Sequence, residues 1–294
     1  MEINGYTRMA AVVAQPIKHS LSPFIHNLAF ELTNENGVYL AWEVESEDLG
    51  AIIENVKRLN MYGVNISMPY KRDVIDFVDY LTDEARLIGA VNTVVNFDGE
   101  LIGHNTDGIG FFKALDQFDF DVKNQTMTMI GGGGAAIAII AQAALLGVKK
   151  INVLARRSQS FESLSARLEK LSALTETEIL LTDLSVTDEI QKQLTESQLL
   201  VNATSVGMDG ESQPLPNELR LSEHCLVVDA IYKVPETPFL RWAKAQGATT
   251  ANGLGMLLHQ AAASFEMWTG KKMPTNKIEQ KLRDKIHMNK GDGE

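Results

Sequence analysis

Cysteine is almost absent. One residue in 294 leaves no disulfide to be formed within the chain. Cys225 lies in the apolar run Cys225-Leu226-Val227-Val228, which reads as a small core residue of a protein kept in a reducing compartment, not as a nucleophile or ligand. Positive charge is scarce as well: 27 Lys and Arg stand against 38 Asp and Glu, and the formal net charge is −11. With no Lys/Arg-rich tract to offset it, that balance argues against nucleic acid as a partner. The longest apolar stretch, Ala135–Val148, has fourteen residues and carries Gln142, short of the roughly 20 that span a bilayer. No His, Cys and carboxylate cluster shows metal-ligand spacing, so no metal is expected. Internal repeats and low-complexity segments are missing too, and Met1-Glu2-Ile3-Asn4-Gly5 has no signal-peptide pattern. What remains is a chain long enough for one large or two medium domains, expected to be soluble and cytoplasmic. The oligomeric state is not readable, and a homodimer stays open.

Against these absences stands one concentrated feature, Met127-Thr128-Met129-Ile130-Gly131-Gly132-Gly133-Gly134-Ala135-Ala136. A strand-like apolar run meets four glycines, and a helical apolar pattern extends from Ile137 to Val148. Gly131-x-Gly133-x-x-Ala136 matches the strand–turn–helix fingerprint of dinucleotide sites. Gly131 permits the turn, Gly133 lets backbone approach a pyrophosphate, and Ala136 lets helix and strand pack closely. The helix start then offers unpaired N–H groups and the positive dipole end to phosphate. Ile151-Asn152-Val153-Leu154 supplies the second strand at the expected distance. That strand leads into Ala155-Arg156-Arg157-Ser158, with no carboxylate to bind the ribose hydroxyls of NAD. Arginine pairs with the 2′-phosphate of NADP, and one charge-assisted bond of about 1.5–3 kcal/mol gives roughly tenfold preference or more. NADP is therefore the expected cofactor. NAD stays open because arginine also stacks on adenine.

The first hundred residues carry a second set of signals. Met9–Ala14 reads as a strand stopped by Pro16, Val38–Val44 as another, and Leu49–Leu59 as an amphipathic helix. Ser20-Leu21-Ser22-Pro23 places two hydroxyls at a helix start with Pro23 in its first turn. Ser22 serves there either as an ordinary cap or, with Ser20, as a ligand for a small carboxylate. Gly63–Lys71 is a strand broken by Pro69, with Lys71 expected to open a helix, the less welcoming end for a cation. Asn96-Phe97-Asp98-Gly99 marks a hairpin. Asn105-Thr106-Asp107-Gly108 either caps the next helix or lets a ligand approach closely.

Taken in order, these stretches resemble the shikimate dehydrogenase family. The blocks are Ser20-Leu21-Ser22-Pro23, Asn65-x-Ser67-x-Pro69-x-Lys71, Gly89-Ala90-Val91-Asn92-Thr93 and Asn105-Thr106-Asp107-Gly108. After the glycine turn come Asn202–Met208, Asp229-Ala230-Ile231-Tyr232 and Asn252–Gln260. Ser67 in place of threonine, Tyr39 and the arginine pair are similar to the quinate/shikimate dehydrogenase branch. Members there that use NAD well carry an aspartate after the arginines, where this chain has Ser158. The resemblance implies an α/β chain: an N-terminal α/β substrate domain, residues 1–107, completed by returning helices from 255–294. It implies a Rossmann-type doubly wound parallel-sheet dinucleotide domain over 108–254.

The same resemblance implies reversible reduction of 3-dehydroshikimate to shikimate with NADPH, in aromatic amino-acid biosynthesis. It implies that Ser20 and Ser22, with Tyr39, hold the substrate carboxylate, and that Ser67, Asn92 and Gln260 bond ring hydroxyls. Lys71 and Asp107 are the implied catalytic pair. Gly131, Gly132, Gly133, Gly134 and Ala135, Ala155 to Ser158, Ser205, Ala230, Ile231, Tyr232, Lys233 and Gly253 are implied to line the cofactor, with Tyr232 near both ligands and Asp83 a further acidic position. The chemistry agrees with such a pair, because hydride transfer at an alcohol carbon must be matched by a proton at its oxygen. Whether Lys71 or Asp107 takes that proton stays open at this stage, and so does quinate as substrate. Methylenetetrahydrofolate dehydrogenases share the two-domain outline but fit the serine pair and the Asn-Thr-Asp block poorly. A non-catalytic nucleotide-binding regulator would be expected to lack Lys71 or Asp107.

Overall fold

The computed structural model describes residues 2–288. The polar tail from Lys290, expected to fray, lies outside them. The chain forms two compact units, Met1–Gly110 with Leu258–Glu294, and Phe111–Leu257.

The first unit begins with β1 (Arg8–Ala14), α1 (Ser22–Leu32), β2 (Gly37–Glu43), α2 (Leu49–Arg58) and β3 (Gly63–Ile66). After a 3-10 turn at Asp73–Phe77 come β4 (Tyr80–Leu81), α3 (Asp83–Ile88), β5 (Thr93–Phe97), β6 (Glu100–His104) and α4 (Asp107–Leu115). The sheet runs β2-β1-β3-β5-β6-β4. β1 is parallel to both neighbours, with Ala10 opposite Tyr39 and Gly63, whereas β3, β5 and β6 are antiparallel. The expected hairpin is present. Asp98 and Gly99 both have positive φ, 50° and 92°, as a two-residue turn matched to strand twist requires. On one face α2 packs Leu49, Ile53 and Val56 against Ala11, Val13, Val64, Ile66 and Val94.

Two local expectations are corrected. Ser22 is the first helical residue of α1 and not its cap. Leu21 holds the cap position without a side-chain bond, and the Ser20 hydroxyl accepts the Ser22 N–H at 3.2 Å. Lys71 lies in the turn ahead of the 3-10 segment and does not open a helix, so no dipole argument applies to it.

The second unit alternates strand and helix: β7 (Thr126–Ile130), α5 (Gly134–Leu145), β8 (Lys150–Ala155), α6 (Phe161–Thr175), β9 (Glu178–Asp183), α7 (Thr187–Glu196), β10 (Leu199–Asn202), β11 (Leu226–Asp229), α8 (Pro238–Ala245) and β12 (Thr249–Ala251). All pairings are parallel, in the order β12-β11-β10-β7-β8-β9. This is the doubly wound Rossmann arrangement, and the strand order reverses between β7 and β10. Its core joins Ile130, Leu154, Leu200 and Val227 to Ile190, Leu194, Phe239 and Leu240. Cys225 is buried within it, and burial pushes its thiol up to about 11.

α9 (Leu254–Thr269) and α10 (Thr275–Met288) close the chain. In the first unit α9 adds Phe265 and Trp268 to an aromatic cluster with His26, Phe30, Tyr39 and Tyr62 on the sheet face opposite α2. Gly63 makes room for it. A Cβ there would lie 2.4 Å from the Trp268 indole nitrogen, which donates to Val94 C=O at 3.1 Å.

Candidate active site

In the first unit, the turn after β3 is held from both sides. Ser67 N–H donates to Val13 C=O at 2.9 Å, Tyr70 N–H to Ser67 C=O at 3.0 Å, and Val91 N–H to Lys71 C=O at 2.7 Å. Tyr70 is buried with its hydroxyl on Val44 C=O. Lys71 is thereby aimed at the first residue of α4: its Nζ lies 2.5 Å from Asp107 Oδ2. The side chains are 22% and 9% exposed, so their attraction is screened far less than that of a surface pair. Asp107 sits where a helix start favours a carboxylate, and its N–H is capped by Asn105 Oδ1 at 3.1 Å.

The other Asp107 oxygen accepts Asn92 Nδ2 at 2.8 Å. That amide has its orientation fixed by its partners. Asn92 Oδ1 accepts the Thr106 N–H at 2.8 Å and the Thr93 hydroxyl at 3.0 Å, while Nδ2 also faces Thr106 Oγ1 at 3.0 Å. Behind it, Asn65 Nδ2 reaches Thr93 Oγ1 at 3.0 Å and Ser264 Oγ at 3.1 Å. Asn65, Thr93, Thr106 and Ser264 are all buried, so this polar chain is a costly feature that only full pairing makes tolerable. The sequence reading assigned these four no role.

The serine pair lies at the other end of the chain of bonds. The buried Tyr39 hydroxyl donates to Asn65 Oδ1 at 2.7 Å and is also hydrogen-bonded to the Ser22 side chain. Burial holds the phenol well above its usual range, so it stays neutral. Ser67 is half-buried after β3. Gln260 lies on α9 beside α4: a Cβ on Gly110 would come within 2.4 Å of the Gln260 backbone nitrogen, so only glycine permits this approach. Asp83 is exposed in the first turn of α3, whose N–H groups the Thr82 cap already serves at Ala85.

In the second unit the glycine turn comes directly after β7. Gly131 has φ 110°, and a Cβ on it would lie 2.9 Å from Thr204 Cγ2. A Cβ on Gly133 or Gly134 would meet nothing within 4 Å, so these residues leave open the approach to the α5 N-terminus that a pyrophosphate needs. Ala135 is next in the helix. At the carboxyl end of β8, Ala155 is buried while Arg156, Arg157 and Ser158 are exposed. Across the switch point Ser205 is exposed beyond β10. The loop after β11 carries Ala230, Ile231, Tyr232 and Lys233. It is shaped by Asp229, whose carboxylate accepts Ile231 N–H at 3.1 Å, Asn202 Nδ2 at 3.1 Å and the Thr237 hydroxyl at 2.6 Å. Gly253 N–H donates to Ile231 C=O at 3.0 Å, and a Cβ on Gly253 would sit 2.0 Å from the Ala230 oxygen. Tyr232 is half-buried, which raises its phenol above the ordinary value. The donor set thus fits a dinucleotide: a bare glycine turn, a helix start and two arginines beyond the second strand. Among the described residues no group of three or more His, Cys, Asp or Glu side chains could hold a metal, and no helix is long and apolar enough to cross a membrane.

A doubly wound parallel sheet with this turn, together with a half-buried lysine–carboxylate pair, defines the class of pyridine-nucleotide dehydrogenases. Comparison with known proteins narrows it. Residues 12–94 match the shikimate dehydrogenase substrate binding domain, and residues 253–283 the shikimate 5'-dehydrogenase C-terminal domain. Shikimate dehydrogenase (NADP(+)) of Lactococcus lactis subsp. cremoris (strain MG1363) is 68% identical over 278 residues, covering 95% of this chain and 97% of its own. The enzyme of the same name from Streptococcus suis (strain 05ZYH33) is 56% identical, covering 97% of this chain and 99% of its own. The crystal structure of shikimate 5-dehydrogenase from Listeria monocytogenes, in complex with shikimate and NAD, has a TM-score of 0.91 at 41% identity, over 96% of this chain and 98% of that one. The chain belongs to the shikimate dehydrogenase family.

Proposed function

We propose that this chain catalyses the reversible, NADPH-dependent reduction of 3-dehydroshikimate to shikimate, a step in the biosynthesis of aromatic amino acids. The observation that carries it is the full-length likeness to enzymes named for that activity, joined to the Lys71–Asp107 pair at 2.5 Å. In this reading the first unit binds the acid and the second the dinucleotide. When bound, the dinucleotide supplies the hydride, and the protein must supply orientation and a proton.

Lys71 is the proton donor in the reducing direction. An ionised carboxylate only accepts, so of the paired groups the ammonium alone carries a proton to give to the carbonyl oxygen. Asp107 holds that ammonium through Oδ2 and is itself fixed through Oδ1 by Asn92. Asn92 orients Asp107 through its amide and, in this reading, also bonds a ring hydroxyl of the substrate. Ser67 and Gln260 bond the ring hydroxyls, and Ser20 with Ser22 holds the carboxylate. Gly131 to Ala135 cradle the pyrophosphate, with Ala155 to Ser158 at the adenosine end. Ser205, the Ala230–Lys233 loop and Gly253 line the rest. The same reading puts the enzyme in the cytoplasm, where a buried, protonated Cys225 stays reduced.

The test is steady-state reduction of NADP and NAD by the purified chain with shikimate and with quinate. Shikimate with NADP is expected to give the highest kcat/KM, and no shikimate-dependent reduction of either nucleotide would overturn the function. Lys71→Ala should lower kcat by about 10²–10⁴-fold, the range for a positioned acid–base group. Near-wild-type kcat in a folded variant would remove Lys71 from that role.

A further inference from the structure

We propose that Asn27 is a positioning residue for the carboxylate end of the substrate, although it lies outside every block that identified the site. The proposal rests on the reading of Ser20 and Ser22 as the carboxylate's ligands. The Asn27 amide makes three bonds, each of 2.8 Å. Its Oδ1 accepts the Tyr39 N–H, and its Nδ2 donates to the carbonyls of Tyr39 and Pro23. Both Nδ2 hydrogens are used, so the inventory closes only for an amide held in this one orientation.

Those partners flank the serine pair. Pro23 comes after Ser22 in the first turn of α1, and Tyr39 brings its hydroxyl to Ser22 and Asn65. β2 is an edge strand, and the Tyr39 N–H and C=O point away from β1, where a further strand would otherwise be needed to satisfy them. Asn27 takes the place of that strand and ties the edge to the helix start. Its neighbour His26 stacks on the Tyr39 ring at 4.2 Å and 7°, fixing the plane of the phenol while Asn27 fixes its backbone. Without the amide, the helix turn carrying Ser22 and the strand carrying Tyr39 lose their backbone tie and keep the hydroxyl contact and the His26 stack. The spacing that a carboxylate must match then loosens. The reacting end, around Lys71 and Asp107, is linked to Tyr39 through Asn65, Thr93 and Asn92, but Thr106 and the Val91–Lys71 backbone bond also anchor it, so it keeps its geometry.

The experiment compares wild type, Asn27→Ala and the near-isosteric Asn27→Leu, all neutral at this position, using shikimate and its methyl ester. Thermal unfolding confirms that each variant is folded, and Asn27→Leu keeps the packing if the alanine variant does not. The expected result is a rise of about fivefold in KM for shikimate, the worth of one hydrogen bond, with kcat and KM for NADP within about twofold. On the ester, KM should be the same in variant and wild type within about twofold. Equal losses on acid and ester, or a loss confined to kcat, would overturn the proposal. Ser22→Ala serves as the reference. Acid-specific loss there without it in the Asn27 variants sinks the role of Asn27 alone, whereas no acid-specific loss in Ser22→Ala sinks the carboxylate reading beneath it.

Discussion

Arg156 and Arg157 are neighbours beyond β8, yet their side chains are differently engaged. Arg157 lies 3.8 Å from Glu162, over the Phe161 ring at 5.7 Å, and its charge reaches Asp183. Arg156 is exposed and has no ion pair among the described residues. Both arginines are exposed, but Arg157 already faces carboxylates, so under the proposed function Arg156 is the expected 2′-phosphate ligand. Arg156→Ala is therefore expected to raise KM for NADP by about tenfold or more, the value of one charge-assisted bond, and to leave KM for NAD within about twofold. Measuring both constants at saturating shikimate checks this. Equal loss for the two nucleotides would end the phosphate role, and a larger effect from Arg157→Ala would transfer it to the neighbour. At this scale sequence goes far for residues whose type and position together suggest a chemistry: Lys71 and Asp107, named from separate blocks, meet at 2.5 Å. It says little of Asn27 or Ser264. A lone amide on a helix and a serine among alanines acquire meaning only from partners: Asn27 meets Tyr39 across a strand edge, and Ser264 meets Asn65 across 199 residues.

Between elements, glycine decides how closely backbones approach. Gly253, where β12 gives way to α9, is the tightest case in the second unit, with backbone atoms of Ala230 at 2.0 and 2.5 Å from where its Cβ would be. No rotamer relieves a clash with backbone, so Gly253→Ala must displace the loop that carries Ala230 to Lys233. The expected cost is about 1–3 kcal/mol of stability, as for other overpacked sites, with a rise in KM for NADP that exceeds any rise in KM for shikimate. Urea unfolding and the two constants measure these together, and an unchanged NADP constant would detach that loop from the cofactor. Elements with strong local grammar were legible: the strand–glycine–helix run, the Asp98-Gly99 hairpin, and α2 with its alternating faces. β4 and β12 were not, because strands of two and three residues are too short to show a period. Ser22 looked like a cap because Ser-Pro is a common helix opening. What the sequence does not display is that the Ser20 hydroxyl takes that N–H and leaves Ser22 inside the helix.

Across the described residues, His26 is the histidine that burial shields most, and it bears on how the protein meets acid. His26 is fully buried between Tyr39, Phe265 and Trp268. Neither ring nitrogen has a hydrogen-bond partner among the described residues, and burial lowers its pKa to about 3. His104, also lowered by burial, lies in the same unit, whereas His224 of the second unit is exposed. Because the folded state keeps His26 neutral while the unfolded chain protonates near 6.5, its contribution to stability is complete above that pH. It is lost progressively as pH falls toward 3. One such group costs about 2 kcal/mol between pH 7 and pH 5. His26→Phe keeps an aromatic ring against Tyr39 and removes the titration. Unfolding free energies from urea curves at the two pH values should therefore fall by about 2 kcal/mol less in the variant than in wild type. Hydrogen exchange adds the location: acidification should loosen the amides of β1, α1 and β2 before those of β7 and α5. Equal pH dependence in variant and wild type would mean that the ring is protonated or hydrated inside the fold. The aromatic cluster around Tyr39 would then be a wetter, softer support than its packing indicates.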